Sequence, residues 1–412
     1  MVEALAKKAK EASVVLRSSG VNIRNAALVK IAQAIISSSN EIISANRSDL
    51  EAARQKGLKE SFIERLTLNE DRVKAMADGV LAVANLDDPI GQVISMWTRP
   101  NGLRIGQKRV PIGVIGVIFE SRPNVTADAA ALCIKSGNTC VLRGGSDAIN
   151  SNKAIVDVMR RAVEEAGLPK DCVCLVEDTS RETAAKMMRL NGLIDVLIPR
   201  GGAGLINAVV SQASVPVIQT GAGNCHVYVD GEADMDMAVK IAVSAKVSRP
   251  SVCNSAETLL VDSAIADKFL PVCAKELICK GVELRGCERA RKIVPEMKAA
   301  DDEDFYTEYN ALIYSVKVVD GIDEAMAHIE KYSTHHSEAI ITESYFKAER
   351  FLNEVDSAAV YVNASTRFTD GGEFGFGAEI GISNQKLHVR GPIGLKELTT
   401  VKYVIYGAGQ IR

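Results

Sequence analysis

What this sequence has little of narrows its class before any motif is read. One tryptophan, five histidines and 5% aromatic residues occur in 412 residues. The nine cysteines are an odd number, scattered apart from Cys172 and Cys174, and no pair of Cys-x-x-Cys units is present. A disulfide framework and a structural zinc site are therefore not expected, no metal is called for, and reduced thiols fit a cytoplasmic setting. No charge of one sign dominates. The balance of 49 Lys and Arg against 52 Asp and Glu gives a formal charge of −3 and no electrostatic case for nucleic acid or an anionic membrane. Long apolar runs are missing too. The longest, residues 113–119, is of strand length, far short of the roughly 20 residues of a membrane span. The N-terminal MVEALAKKAKEASVVL is broken by charge every few residues and has no apolar centre of a secretory signal.

What is present is ordinary for a globular chain, with 47% hydrophobic and 25% charged residues and a length suited to two or three domains. The first ~85 residues read as helices, with Ala26, Leu28, Val29, Ile31, Ala32, Ile35 and Ile36 at helical spacing. MWTRPNGLRIGQKRV then breaks the pattern. Its Asn101-Gly102 signals a type I′ hairpin in a projecting ribbon. From Gly113 onward short apolar runs alternate with helical patterns, GVIGVIF, TCVLR, CVCLV and LIDVLIP first, then ETLLVD, ALIYSVKVV, EAIIT and AAVYVN. Such alternation predicts an α/β fold with two parallel sheets, each covered by helices. The tail from Gly371 is glycine-rich and then extended.

Several residues could carry chemistry. Cys253, in RPSVCNSAET, lies on a loop between a helical pattern and an apolar strand, with Arg249 four residues before it. A nearby cation favours thiolate over thiol, which makes Cys253 either a nucleophile or a small buried hydrophobe. Asn124 follows the strand GVIGVIF and could donate to an oxyanion or cap a helix. Two strand-to-helix turns, Arg143-Gly144-Gly145-Ser146 and Arg200-Gly201-Gly202-Ala203-Gly204, are open enough for phosphate or are simply tight turns. An arginine there can pair with a 2′-phosphate. His335 and His336 could donate to phosphate, shuttle protons or lie on a surface loop. Cys225 and His226 are not expected to pair, because neighbours in a strand point to opposite faces.

These stretches, together with VDGIDEAMAHIEKYSTHHSEAI, VNASTRFTDGGEFGFGAEIGIS and GPIGLKELTTVKYVIYGAGQIR, resemble the gamma-glutamyl phosphate reductases, a branch of the aldehyde dehydrogenase superfamily. The segment with His328, Tyr332, His336 and Ile340 is similar to the one used to define them. The resemblance runs from about residue 2 to the end. It implies an aldehyde dehydrogenase-like fold with a small β oligomerisation unit. The cofactor NADPH would be bound by residues 1–95, 111–222 and 359–390. Residues 223–358 would form the catalytic domain, and residues 96–110 and 391–412 an oligomerisation hairpin and tail in a homo-oligomer.

Residue by residue, the resemblance makes Cys253 the nucleophile and Asn124 an oxyanion donor. It sets Arg143 where the superfamily has a cofactor-binding lysine, and Glu308 where a glutamate holds the nicotinamide ribose. From the two turns themselves, Gly144, Ser146, Arg200, Gly201 and Gly202 are the further candidate cofactor contacts. The implied substrate is L-glutamate 5-phosphate, with glutamate 5-kinase as candidate partner. Its α-carboxylate, α-ammonium and phosphate need charged partners, for which Glu120, Ser121, Arg122, Arg249, His336, Arg367, Asp370 and Glu373 are candidates. One departure stands out. Hydrolytic relatives carry a water-activating glutamate where VIQTGAGN here has Gln219 and Thr220, and an amide cannot act as a carboxylate base. The alternatives are an aldehyde dehydrogenase oxidising a free aldehyde, or a non-catalytic dinucleotide-binding protein.

Overall fold

The structure is a computed structural model that describes residues 1–120 and 122–412; Ser121 lies outside the described residues. The chain divides into two compact units, Met1–Thr220 with Gly375–Gly381 and Ile393–Arg412, and Gly221–Phe374 with Ile382–Pro392.

The first unit opens on helices Val2–Ser18, Val21–Ser37, Ser39–Gln55, Glu60–Leu66 and Glu70–Asn85. In Val21–Ser37 the buried face is Ala27, Leu28, Ile31, Ala32 and Ile35, while Val29 and Ile36 are exposed. The stripe is one helical face wide, so those two apolar residues fall beyond its edge. A hairpin follows, β1 (Val93–Thr98) and β2 (Arg104–Pro111), and the C-terminal strand Thr399–Tyr406 pairs antiparallel with β2.

The hairpin turn is not type I′. That turn needs positive φ at both central residues, and Asn101 is not among the residues with positive φ, whereas Gly102 has φ +87°. Gly102 N donates to Arg99 O at 2.9 Å and Arg99 N to Leu103 O at 2.8 Å. Pro100, whose ring fixes φ, therefore takes the first central position of an ordinary turn, and Gly102 alone takes the left-handed one.

The described residues of this unit also form a parallel sheet from β3 (Val114–Phe119), β4 (Thr139–Arg143), β5 (Val173–Leu175) and β6 (Val196–Arg200), in the order β5-β4-β3-β6. Every residue of β3 is buried, which explains its unbroken apolar sequence. Helices Asn124–Lys135, Ile149–Glu165 and Arg181–Met187 make the crossovers. Asn124 and Arg143 thereby stand at the carboxyl ends of the two central strands and Arg200 at that of the edge strand β6, where open α/β sheets present ligand loops.

The described residues of the second unit form a wholly parallel sheet from β7 (Cys225–Val229), β8 (Ala256–Asp262), β9 (Glu283–Gly286), β10 (Lys298–Ala299), β11 (Ile313–Val319), β12 (Ser337–Ile341) and β13 (Ala359–Val362). The order is β10-β9-β11-β8-β7-β12-β13. Its core gathers Val227, Leu259, Phe269, Val316 and Ile341. The residues expected in a cofactor domain at 359–390 are divided differently. Residues 359–374 and 382–392 belong to the second unit, because β13 completes its sheet by parallel pairing with β12. No helix among the described residues is long and apolar enough to cross a membrane.

Candidate active site

Helix Met235–Val247 and strand β8 are the stems of a loop that carries Cys253. Cys253 is half-buried, whereas Cys133, Cys140, Cys172, Cys174, Cys225 and Cys273 are fully packed. Burial pushes the last two upward, Cys273 to about 12 and Cys225 well above the ordinary thiol range. The role of a small buried hydrophobe thus describes these six and not Cys253, nor the half-buried Cys287 and the exposed Cys279.

The loop is held from several sides. The Cys225 thiol donates to the Cys253 carbonyl at 3.2 Å. Asn254 Nδ2 donates to the carbonyls of Thr369 at 2.8 Å and Arg367 at 3.3 Å, and the Thr366 hydroxyl donates to the Asn254 carbonyl at 2.8 Å. The Arg367 guanidinium bonds Asn254 Oδ1 and, at 3.1 Å, the Ser248 hydroxyl. Burial lowers the Arg367 pKa first and the neighbouring Arg249 charge lowers it further, with Asp370 and Cys253 opposing. Two guanidinium groups within electrostatic reach of one another, one of them also within reach of a cysteine, make a local environment suited to an anion.

Gly223 packs against the same loop. A Cβ built there would lie 1.4 Å from the Cys253 carbonyl oxygen, so only glycine permits the approach. The Gly223 N–H donates to Glu308 Oε1 at 2.8 Å. Glu308, which the resemblance assigns to a cofactor ribose, is in this structure tied to the segment touching the Cys253 loop.

The histidine-rich segment has a different placement from that expected. His336 is fully buried, its Nδ1 2.8 Å from the Ser337 hydroxyl and 3.7 Å from the Cys225 sulfur. It lies behind the Cys253 carbonyl rather than on a surface loop, which is a correction to its reading as a substrate phosphate donor. The neighbours of this segment explain its residue types. Glu338 accepts from the His226 backbone at 2.8 Å and faces its Nδ1 at 3.1 Å. Thr334 Oγ1 accepts from Asn224 N at 2.9 Å, and the Tyr332 carbonyl from Asn224 Nδ2 at 2.8 Å. Cys225 and His226 do face opposite sides of β7, one toward His336 and the other toward Glu338. Asp370 spends a carboxylate oxygen on Gly372 N at 2.8 Å, and Glu373 is exposed.

In the first unit, Asn124 begins its helix, but its side chain makes no cap; Pro123 occupies the cap position. The amide Nδ2 donates to Asp128 Oδ2 at 2.9 Å, leaving the second N–H for another acceptor. Desolvation pushes Asp128 up to about 6, offset in part by the Asn124 bond and the Arg200 charge. Arg143 is half-buried and donates to the carbonyls of Thr179 and, at 3.2 Å, Ser180; burial lowers its pKa. Gly144 is a packing glycine, since a Cβ there would meet Asn152 Nδ2 at 2.2 Å, and it is not open for phosphate approach. Ser146 is exposed.

The turn after β6 is open. Nothing lies within 4 Å of a Cβ on Gly202 or Gly204, at the start of helix Ala203–Gln212. The Gly202 N–H meets Glu120 Oε2 at 3.2 Å, and a Cβ on Gly201 would meet the same oxygen at 2.5 Å. The Glu120 carboxylate thus answers the N-terminus of the helix Ala203–Gln212. Arg122 is half-buried just before Asn124. Gln219 is half-buried, and the Thr220 hydroxyl is spent on the Pro199 carbonyl at 2.8 Å. Among the described residues, no group of three or more His, Cys, Asp or Glu is arranged to hold a metal ion.

The model of the aldehyde dehydrogenase family matches residues 1–283. A gamma-glutamyl phosphate reductase of Clostridium perfringens (strain SM101 / Type A) is 61% identical over 406 residues, covering 98% of each chain. The chain belongs to the gamma-glutamyl phosphate reductases of the aldehyde dehydrogenase family. One from Caldanaerobacter subterraneus subsp. tengcongensis is 59% identical over 411 residues, covering 100% of this chain and 99% of its own. The crystal structure of the Thermotoga maritima gamma-glutamyl phosphate reductase superimposes with a TM-score of 0.98 at 52% identity, covering 100% of this chain and 99% of that one. As a member of this family the chain is a dinucleotide-dependent oxidoreductase with an aldehyde dehydrogenase-like α/β fold.

Proposed function

We propose that this chain reduces L-glutamate 5-phosphate to L-glutamate 5-semialdehyde and phosphate, with NADPH as reductant and a thioester on Cys253, the second step of proline synthesis from glutamate. The observation that carries the reading is the Cys253 loop, a half-buried thiol on a stitched backbone with the Arg367 guanidinium within reach of it and Arg249 within reach of Arg367.

The Cys253 sulfur attacks the acyl carbon, the carbon–oxygen bond to phosphate breaks, and phosphate departs with the electron pair. Arg249 and Arg367 supply positive charge for that leaving anion. Asn124 and the Cys253 backbone N–H donate to the oxyanion, each such donor worth about 3 kcal/mol in the transition state. Gln219 and Thr220 offer no carboxylate to activate water, so the thioester survives to be reduced. A bound nicotinamide dinucleotide supplies the hydride for that reduction. The thiohemiacetal on Cys253 then expels the thiolate and releases the aldehyde.

For the cofactor, the open Gly202 and Gly204 positions and the Arg200 side fit a pyrophosphate at a helix N-terminus, and Arg143 and Ser146 fit the adenosine end, Arg143 reading a 2′-phosphate. Oxidation of a free aldehyde is disfavoured by Gln219 and Thr220, and a non-catalytic role by the built nucleophile loop. The ribbon of β1, β2 and the C-terminal strand leaves Val93, Ile94, Trp97, Tyr403 and Ile405 exposed at 40–60%, which suits an interface between copies in a homo-oligomer. A cytoplasmic setting and substrate supply by a separate glutamate 5-kinase complete the reading.

Cys253→Ala is expected to abolish reduction of the acyl phosphate while leaving NADPH binding nearly unchanged in a fluorescence titration. Retained turnover would rule out the thioester route.

A further inference from the structure

Beneath the nucleophile loop lies a pair of charges that the chemistry above does not use. Lys246 Nζ and Glu257 Oε2 form an ion pair whose side chains are 0% and 1% exposed. Placing two charges out of water is unfavourable, and a well-packed apolar pair of similar volume is often as stable or more so. Stability alone therefore does not account for this pair. Its location does offer an account. Lys246 is in the last turn of the helix that enters the loop, and Glu257 is at the start of the strand that leaves it. The pair joins the two stems that carry Cys253.

Glu257 also reaches outward. Its second oxygen, Oε1, accepts from the Asn310 backbone N–H at 3.3 Å. Asn310 has φ +53°, in the left-handed region that Asn takes more readily than other non-glycine residues, so the backbone turns here and aims this N–H at the carboxylate. Two residues earlier, Glu308 accepts from Gly223 N, and Gly223 abuts the Cys253 carbonyl. The contacts close a ring: Cys253 along the chain to Glu257, across to Asn310, back to Glu308, across to Gly223, and onto Cys253 again. Lys246 balances the one carboxylate that must stay buried for the ring to close, and its Nζ lies 5.7 Å from the centre of the buried Tyr314 ring.

We propose that Lys246 and Glu257 are positioning residues that fix the Cys253 loop and the Glu308 segment in mutual register. The inference rests on Cys253 being the nucleophile. A merely structural pair would affect folding stability and nothing else. A positioning pair affects chemistry in the folded enzyme, since a displacement of about 1 Å at a reacting group costs on the order of 100-fold.

The test compares the full-length wild type with Lys246→Met/Glu257→Leu, which keeps the site filled without charge, and with the isosteric Glu257→Gln. Folding is checked by near-UV circular dichroism, and rates are measured below each variant's melting temperature. The double variant is expected to melt at or near the wild-type temperature, yet to lose roughly 10- to 100-fold in kcat. The KM for the dinucleotide should stay within about threefold, and alkylation of Cys253 by iodoacetamide, followed by peptide mass spectrometry, should change at least about fivefold. Glu257→Gln should show the same kcat loss, so the test survives if the double variant fails to fold. Wild-type kcat and alkylation in either folded variant overturns the proposal. Cys253→Ala run alongside separates the two ideas: if it retains turnover the nucleophile reading fails, and if it is inactive while the charge variants are normal only the positioning role fails.

Discussion

The Cys253 loop of the second unit and the strand-to-helix turn after β6 in the first are built in opposite ways. Around Cys253, the backbone is tied by Cys225, Thr366, Thr369 and Arg367, and a methyl on Gly223 would strike the Cys253 carbonyl. Around Gly202 and Gly204, a methyl would meet nothing within 4 Å. Both regions are rich in small residues, so composition alone does not separate them. The difference is what each glycine faces. One admits the chain's own backbone and makes the loop stiff, which suits a group that must form and break a bond in one geometry. The other leaves free space beside the backbone at a helix N-terminus, which suits a group that arrives from solution.

The largest effect that would test this contrast is at Asn124, the one residue of the first unit assigned to the chemistry itself. Asn124→Ala is expected to lower kcat roughly 100- to 1,000-fold in steady-state assays. An unchanged kcat would mean that its amide serves only Asp128 and that the first unit supplies no oxyanion donor. Next comes the same substitution made in both regions. Gly223→Ala should lower kcat roughly 100-fold and destabilise the fold by about 1–3 kcal/mol in denaturant titrations. Gly202→Ala should leave the melting temperature unchanged and act on the KM for the dinucleotide rather than on kcat. Equal stability losses would erase the distinction between stiff and open glycines. The smallest effect is at the other turn. Arg143→Ala should weaken NADPH about tenfold more than NADH, a difference near 1.4 kcal/mol and in the range of a lost charge-assisted bond, and equal losses for both would remove Arg143 from the 2′-phosphate.

Much of the fold was legible because its signals are local. The unbroken apolar run of β3 and the alternation of strands and helices follow from burial on both faces of parallel sheets. The turn at Asn101 was misread because Pro100 outweighs the Asn-Gly pair in fixing which residue takes positive φ. Strand β9 and the two-residue β10 carried too few apolar residues to be seen. In the site, Cys253 and Asn124 stood out by loop position and resemblance. What surrounds them did not, because Cys225, Gly223, Thr369 and Lys246 are distant in sequence from the loop contacts they serve, or carry no local mark of their role. His336 looked like an exposed donor beside His335 and is instead buried against Cys225, a placement decided by long-range pairing of β7 with β12.

The central claim is that Cys253 sulfur becomes bonded to the substrate's acyl carbon before reduction. It is tested most directly by mixing the enzyme with L-glutamate 5-phosphate in the absence of dinucleotide and analysing it by mass spectrometry after acid quench. The account predicts about one equivalent of released phosphate above the rate of spontaneous hydrolysis, with a glutamyl mass added to the peptide containing Cys253 and lost on treatment with hydroxylamine. An unmodified Cys253 peptide under conditions that support turnover once NADPH is added, or an adduct on any other residue, would contradict it.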